Sequence, residues 1–369
     1  MTMLPYPFVS AVRNNYGIAL FIVLWVVVLL SVIVGEFCYT ARTEAKITRN
    51  FKENTEAYYI ALAGVSRAIE GLVHAEIFND EINQAEDASE GFSGESQEID
   101  WRVNTEIPPI KVGAGEAAVR IENESGRVNI NEVGQSLLKA LLSGFDLDQK
   151  QVEIIVDSIM DWRDKNDLHR LNGAEDDYYQ SLPEPYECKD APFDSVDELL
   201  LVRGVTKDIY YNGLSEVVTV IGQAQEAENP ASNLIIRNRS QLNLRNTSRA
   251  RSSGDTFDFN KININAASEQ LLGMMPGVTD EDARIIAEYR KEEDFRAYSQ
   301  LSNLISSQAY TELRKFITFD MLPYYTIIGV GQLPHSGVKE GLRVQIKLEP
   351  QKEEKYRVVQ WQDQLQKVF

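Results

Sequence analysis

Nineteen consecutive residues, 17–35, carry no ionisable side chain and are mostly Val, Leu and Ile. As a helix they measure about 28 Å at ~1.5 Å per residue, close to the hydrocarbon thickness of a bilayer. This stretch constrains everything after it, because so much uninterrupted apolar surface needs either a large protein interior or a membrane around it. A secretory signal would have a shorter apolar core and a small-residue exit of the Ala-x-Ala kind. Here the run passes at once into Glu36 and a long helical pattern, and the short segment before it has Arg13 as its only charged side chain. The run therefore reads as a membrane anchor with its leader on the cytoplasmic side and the bulk of the chain across the membrane. Arg42 and Lys46, just beyond the span, weaken the charge bias behind that orientation.

The helical pattern continues past the anchor. No proline occurs between Pro7 and Pro108, and Phe51, Tyr58, Leu62, Val65, Ile69 and Leu72 recur at spacings of seven, four, three, four and three. That is the period of one helix face, so a single helix is expected from about 18 to about 78, roughly 90 Å long. Residues 79–98 are acidic and glycine-spotted and read as a solvated loop. Alternation at period two predicts strands at 99–103, 118–122, 217–221, 326–330, 342–346 and 356–359. The expected fold class is α+β: a long N-terminal transmembrane helix and a small antiparallel sheet, with a large helical domain inserted. Residues 223–258, rich in Asn, Ser, Gln and Arg, read as a flexible insertion. Its five arginines against four acids make a nucleic-acid arm the sharper alternative.

The helical part repeats itself. Val128-Asn129-Ile130-Asn131 precedes Leu137-Leu138, and Ile262-Asn263-Ile264-Asn265 precedes Leu271-Leu272, all at one offset of 134. Asn131 and Asn265 are well suited to cap the helices that follow. Each copy also runs into a glycine turn, Leu201-Val202-Arg203-Gly204-Val205 in one and Met275-Pro276-Gly277-Val278 in the other. These look like SAM-like or helix-hairpin-helix units. The second resembles the DNA-binding hairpins of competence receptors, which makes a membrane-anchored DNA-uptake receptor the rival function. Such hairpins need a second glycine, so that backbone amides can approach a phosphate. Thr279-Asp280-Glu281-Asp282 instead places three carboxylates there, the other copy has Thr206-Lys207-Asp208, and the whole chain carries a formal charge of −19. Nucleic acid is not an expected partner.

The sharpest chemical cluster lies in the first copy. Asp161, Asp164, Asp167, Glu175, Asp176 and Asp177 fall within seventeen residues around a glycine-containing loop. A hard cation such as Ca²⁺ takes six to eight oxygens, and a flexible acidic loop can supply them. The spacing is not that of an EF-hand. A solvated loop with Arg163, Lys165 and Arg170 as local partners is the competing reading. No catalytic site is legible: His74, His169 and His335 stand in no metal-ligand spacing and beside no nucleophile, and phosphate-binding glycine loops are absent. The two cysteines, Cys38 and Cys188, are too far apart along the chain to suggest an internal disulfide.

Three features together resemble one family. Gly17 stands before the apolar run, where a type IV prepilin peptidase cuts; Ile22 occupies the fifth place after that cut; and Asp161-Trp162-Arg163-Asp164, Gly173-Ala174-Glu175 and Tyr186 precede Asp190-Ala191-Pro192-Phe193. The chain resembles the minor pseudopilin K (GspK) family of type II secretion systems. The resemblance implies cleavage between Gly17 and Ile18, N-methylation of Ile18, and a single-pass inner-membrane protein with its bulk in the periplasm. Pilin-like subunits usually carry Glu where this chain has Ile22. A carboxylate inside an apolar bundle is costly unless paired, and its expected partner is a neighbouring subunit's α-amino group. A subunit that cannot offer that pairing suits the filament tip. The resemblance further implies Ca²⁺ in the central domain, with Asp164, Asp167, Glu175 and Asp190 as the ligands. It implies minor pseudopilins I and J as partners, together with the peptidase, the outer-membrane secretin and exported proteins. The organisation is then a leader at 1–17, a transmembrane half-helix at 18–36, and the other helix half with the first strands at 37–127. A helical domain with the acidic loop follows at 128–213, then a strand at 214–222, the insertion at 223–258, a second helical unit at 259–320 and C-terminal strands at 321–369.

Overall fold

The structure, a computed structural model, describes residues 16–84, 99–221 and 257–363. Most of the leader and nearly all of the 223–258 insertion lie outside the described residues. Helix α1 spans Tyr16–Gln84, 69 residues or about 100 Å. It runs six residues past the expected end at 78, into what reads in sequence as loop. Among the described residues it is the one helix long and apolar enough to cross a membrane. Every side chain from 19 to 52 is exposed in the isolated chain, and burial begins at Glu53.

The distal half of α1 lies on a five-stranded antiparallel sheet. Its strands are β1 (Ile110–Val112), β2 (Gly115–Asn123), β7 (Tyr324–Gln332), β8 (Lys339–Leu348) and β9 (Tyr356–Asp363), side by side in that order. The buried face of α1 differs from the expected stripe. Phe51 is 74% exposed, whereas Ala57, Ala61 and Ala68 are fully buried beside Val65, Ile69 and Leu72. The reason is close approach: a Cβ on Gly331 of β7 would lie 1.9 Å from the carbonyl oxygen of Ala57, and one on Gly64 of α1 2.6 Å from Cβ of Ala117. Small residues on both elements let helix and sheet touch backbone to backbone, so the contact is carried by alanine and glycine, which a search for large apolar residues passes over.

One expected strand is absent and another is shortened. Residues 99–103 form no strand: Trp101 packs its ring on Gly71 of α1, and Arg102 pairs with Asp100 at 2.6 Å and Asp294 at 3.2 Å. Those side chains tie the segment to α1 and to the second helical unit. Of 217–221 only β4 (Val218–Thr219) is extended, and it pairs in parallel with β3 (Val128–Asn129), away from the large sheet.

Between β2 and β7 the chain forms the helical domain. Its first copy comprises β3, α2 (Gln135–Leu142), α3 (Gln149–Arg163), the short α4 (Asp176–Tyr179), a 3₁₀ turn at Val196–Leu201, α5 (Lys207–Ile209), α6 (Ser215–Val217) and β4. The second comprises β5 (Ile262–Asn263), α7 (Glu269–Gly273), α8 (Asp280–Glu292), α9 (Tyr298–Ser302), α10 (Ser307–Leu313) and β6 (Ile317–Thr318), with β5 and β6 again parallel. Both copies bury their leucines and isoleucines in one continuous core, from Leu137 and Ile159 to Leu271 and Ile286. The body is anchored to the sheet at Gly126, where a Cβ would collide with the Ala266 carbonyl at 2.2 Å.

The backbone contact between α1 and β7 gives the first prediction. Gly331→Ala should destabilise the protein by about 1–3 kcal/mol, the usual cost of overpacking, and lower its melting temperature in detergent. An unchanged melting curve would refute the close approach.

Candidate metal centre

The two copies are held by the same hydrogen bonds. Asn131 gives its side-chain amide to the carbonyl of Phe193 at 3.0 Å and accepts the Phe193 N–H at 2.7 Å. Asn265 does the same with Phe295, at 3.0 and 2.8 Å. Asn129 and Asn263 each accept the backbone N–H two residues on. Arg163, at the end of α3, donates to the carbonyls of Ile130 and Val133, and Arg290, near the end of α8, donates to those of Ile264 and Ala267. The second asparagines are therefore staples rather than the expected helix caps. Gly134 precedes α2 without a side-chain cap, and Ser268 caps α7. The turn around Gly204 is also not the counterpart of that around Gly277: the former follows Phe193, while the latter precedes Arg290.

The copies differ in what lies between the arginine and the phenylalanine. The second copy needs only residues 291–294, while the first inserts 164–192, which contains most of the acidic constellation. Inside this loop the carboxylates fall into two groups. Asp161 and Asp164 are satisfied by Arg170, and Asp176 accepts the backbone N–H of Cys188 at 2.6 Å. Glu175 and Asp190 are not satisfied. Glu175 is 1% exposed, and neither of its oxygens has a hydrogen-bond partner; the same holds for Oδ1 of Asp190. Donor atoms of Glu175, Cys188 and Asp190 all lie within 4.8 Å of one another. Asp190 adopts φ of +50°, the left-handed conformation that non-glycine residues rarely take. An aromatic wall backs the site: the ring of Trp162 meets those of Tyr179 at 5.2 Å, Tyr186 at 6.3 Å and Phe193 at 6.4 Å.

Burial, reinforced by the charges on Asp161 and Asp190 and partly opposed by the neighbouring thiol, pushes the Glu175 carboxyl up to about 7. Burial likewise pushes the Cys188 thiol up. Of the four residues expected to hold a cation, the structure brings Glu175 and Asp190 together. Asp164 sits beside them, bonded to Arg170, and Asp167 is exposed on the loop outside the cluster. Cys188 is the member that sequence reasoning missed, because cysteine was weighed only for disulfide formation. Three buried carboxylate oxygens without a donor suit a hard, oxygen-seeking cation, with carbonyls and water completing its shell. The donor set thus fits Ca²⁺, and the protonated thiol is a poor ligand for a soft metal. A raised carboxyl pKa is also what a general acid needs, but Glu175 is enclosed, at 1% exposure.

The hairpin of the second copy has its own geometry. Gly277 has φ of +76°, and a Cβ there would lie 3.3 Å from the side chain of Glu312. The Thr279 N–H, in the place where a phosphate would be bound, donates to the Asp282 carboxylate at 3.1 Å.

A family profile described as type II secretion system (T2SS), protein K, matches residues 118–223, the first copy with its acidic loop. A helix-hairpin-helix profile matches residues 258–318, the second copy. The type II secretion system protein K of Aeromonas hydrophila is 27% identical over 218 residues, 54% of this chain and 61% of that protein. The protein of the same name from Pectobacterium carotovorum is 32% identical over 90 residues, 24% of this chain and 27% of that protein. Over these stretches the chain is similar to the type II secretion system protein K family. Its matched stretches span less than two thirds of the length of these relatives. Among solved structures, the chain is similar to one in the GspK-GspI-GspJ complex from the enterotoxigenic Escherichia coli type 2 secretion system, with a TM-score of 0.51. That alignment covers 86% of this chain and 98% of the other at 16% identity, so the likeness is one of fold.

The raised Glu175 carboxyl makes the metal-free protein sensitive to pH. A carboxyl whose folded pKa is raised contributes stability that is present below its ordinary value, 4.5, and lost as pH rises through about 7. In chelator, the melting temperature should therefore fall across that window, and Glu175→Gln should flatten the fall. A slope unchanged by the substitution would show that the buried carboxyl is not its source.

Proposed function

We propose that this protein is a minor pseudopilin that sits at the tip of the type II secretion pseudopilus, where it supports protein export across the outer membrane. The observation that carries this reading is the joining of one membrane-length helix, without a carboxylate between 17 and 35, to a sheet carrying a large duplicated helical body. Ile22 offers no acid to a neighbour's α-amino group, and so large a head would clash with its copies along a filament wall. Both features suit a tip subunit. A prepilin peptidase removes residues 1–17, Ile18 becomes the methylated N-terminus, and the helix remains in the inner membrane with the head in the periplasm. The fold shared with a chain crystallised with GspI and GspJ supports pseudopilins I and J as the partners. The secretin and the exported proteins are what a growing tip would meet.

In the central domain a Ca²⁺ ion binds at Glu175 and Asp190, close to Asp164. Bound there, it supplies the positive charge that the buried oxygens lack and holds the inserted loop against the aromatic wall. The protein's role is mechanical rather than catalytic. The DNA-receptor reading is disfavoured by the acidic first turn of α8 and by Glu312 over the hairpin glycine.

Intact mass after co-expression with a prepilin peptidase should give a chain beginning at methylated Ile18; an uncut chain, with a control pilin processed, would refute the pseudopilin reading. Saturating Ca²⁺ should raise the melting temperature over that in chelator, by an amount equivalent to about 2.7 kcal/mol at a hundredfold excess over Kd. Glu175→Gln should abolish most of that rise. Equal melting temperatures with and without Ca²⁺ would remove the cation from the reading.

A further inference from the structure

The two edges of the large sheet are unequal. At one end β1 is three residues long, which leaves little backbone unpaired. At the other end β9 runs for eight residues without a proline, and among the described residues nothing pairs with its outer side. Alternate N–H and C=O groups of such a strand are open to another strand. The flank beside it is apolar as well. Tyr356, Val358 and Trp361 stand opposite Leu348, Ile346 and Val344 of β8, on the side of the sheet that carries α1. The β8 residues are buried under the helix, whereas their β9 neighbours are 39%, 44% and 42% exposed. An open cleft of about 340 Å³ lies there between α1 and the start of β9, with Ile69, Val73 and Tyr356 in its lining. A helix laid in the cleft would cover these side chains and leave the backbone of β9 unpaired, while an added strand satisfies both.

One segment of this chain is placed to supply that strand. Residues 222–256 lie outside the described residues, and the chain leaves at Ile221 and rejoins at Phe257. Both residues belong to one small apolar cluster with Leu322 and Tyr324, and Val359 of β9 packs against the same cluster. Val359 is the extra residue of a bulge, between Val358 opposite Ile346 and Gln360 opposite Gln345. The insertion thus starts and ends beside the middle of β9. Fully extended, 222–232 and 247–256 would each reach about 35 Å, beyond the ~26 Å length of β9. Between them, 233–246 contains Leu234, Ile235 and Ile236 and the alternating run Gln241-Leu242-Asn243-Leu244-Arg245, the pattern of a strand with one apolar face. Residues 229–254 also carry five arginines and no acid in a chain of formal charge −19, which favours the chain's own acidic body as the surface they meet. We infer that the outer edge of β9 takes up a strand from residues 233–246 of the same chain, with Leu242 and Leu244 over the flank of Tyr356, Val358 and Trp361. The sheet then has six strands, and its long edge is closed to pairing with other chains.

Hydrogen exchange on the full-length protein in detergent tests this, read on fragments that cover β8 and β9. Wild type is compared with the variant Leu234→Asp/Ile236→Asp/Leu242→Asp/Leu244→Asp. The outward amides of β9 should be protected in wild type and exchange about tenfold or more faster in the variant. Protection of β8, expected to stay the same, reports that the variant is folded. Rapid exchange at the outward amides of wild type, or protection that the variant keeps, would overturn the inference. Protection that grows with protein concentration would assign the edge to a second copy and overturn it too. Should the variant fail to fold, Gln360→p-benzoylphenylalanine in the otherwise unaltered chain decides. Intramolecular photo-cross-links to 233–246 support the inference, and links to another segment, links to a second copy, or no links overturn it.

Discussion

The side-chain amide of Asn131 satisfies both backbone polar groups of Phe193, and the helical body depends on that two-point bond. Each buried backbone group left without a partner would cost about 1–3 kcal/mol, so the asparagine fixes where the chain must return. Once that point is fixed, the segment between Arg163 and Phe193 is free to vary in length without disturbing the core. The second copy shows the minimal solution: Asn265 holds Phe295 in the same way, with only a tight loop between Arg290 and the phenylalanine. In the first copy the same frame carries the acidic loop. A candidate metal centre has been grafted onto one of two equivalent frames, in keeping with the rule that sites rather than folds carry function.

Charge is managed locally in a chain with a strong negative excess. Arg163 and Arg290 are drawn into the interior, where they satisfy the carbonyls of the loops that open each copy. Burial lowers the Arg290 pKa to about 10, which still leaves it protonated at neutral pH. Arg170 neutralises the buried Asp161, and Arg102 bridges Asp100 and Asp294 between the pre-sheet segment and the second unit. Glu175 and Asp190 are left outside this scheme. A buried carboxylate with no donor is expensive to keep ionised, so Glu175 is the source of the pH response expected of the metal-free protein, and the pair is where the proposed cation would bind.

Helix α1 joins this body to an apolar stretch long enough to cross a membrane. Residues 17–35 are free of ionisable side chains and the distal half carries small residues on one side, so one element suits two environments through composition alone. Alanines of α1 and glycines of β7 bring the two backbones into contact, which holds the sheet rigidly to the anchor. In the proposed mechanical role, this contact would pass force between the head and the apolar stretch of the helix.

The sequence by itself determined the membrane helix, the strands β2, β7, β8 and β9, the duplication and the acidic loop, because each is written in local periodicity, motif or composition. A nineteen-residue uncharged run has few other fates, and alternating strands declare themselves over five residues. The tertiary structure alone decided which alanines face the sheet, that residues 99–103 are not a strand, and that Asn131 and Asn265 reach across the fold to staple rather than cap. It also chose among the acids. Asp161 and Asp164 found an arginine and Glu175 and Asp190 did not, although all four look alike in sequence. Hydrogen-bond satisfaction is a property of neighbours in space, and the return of the chain at Phe193 is what brings those neighbours together.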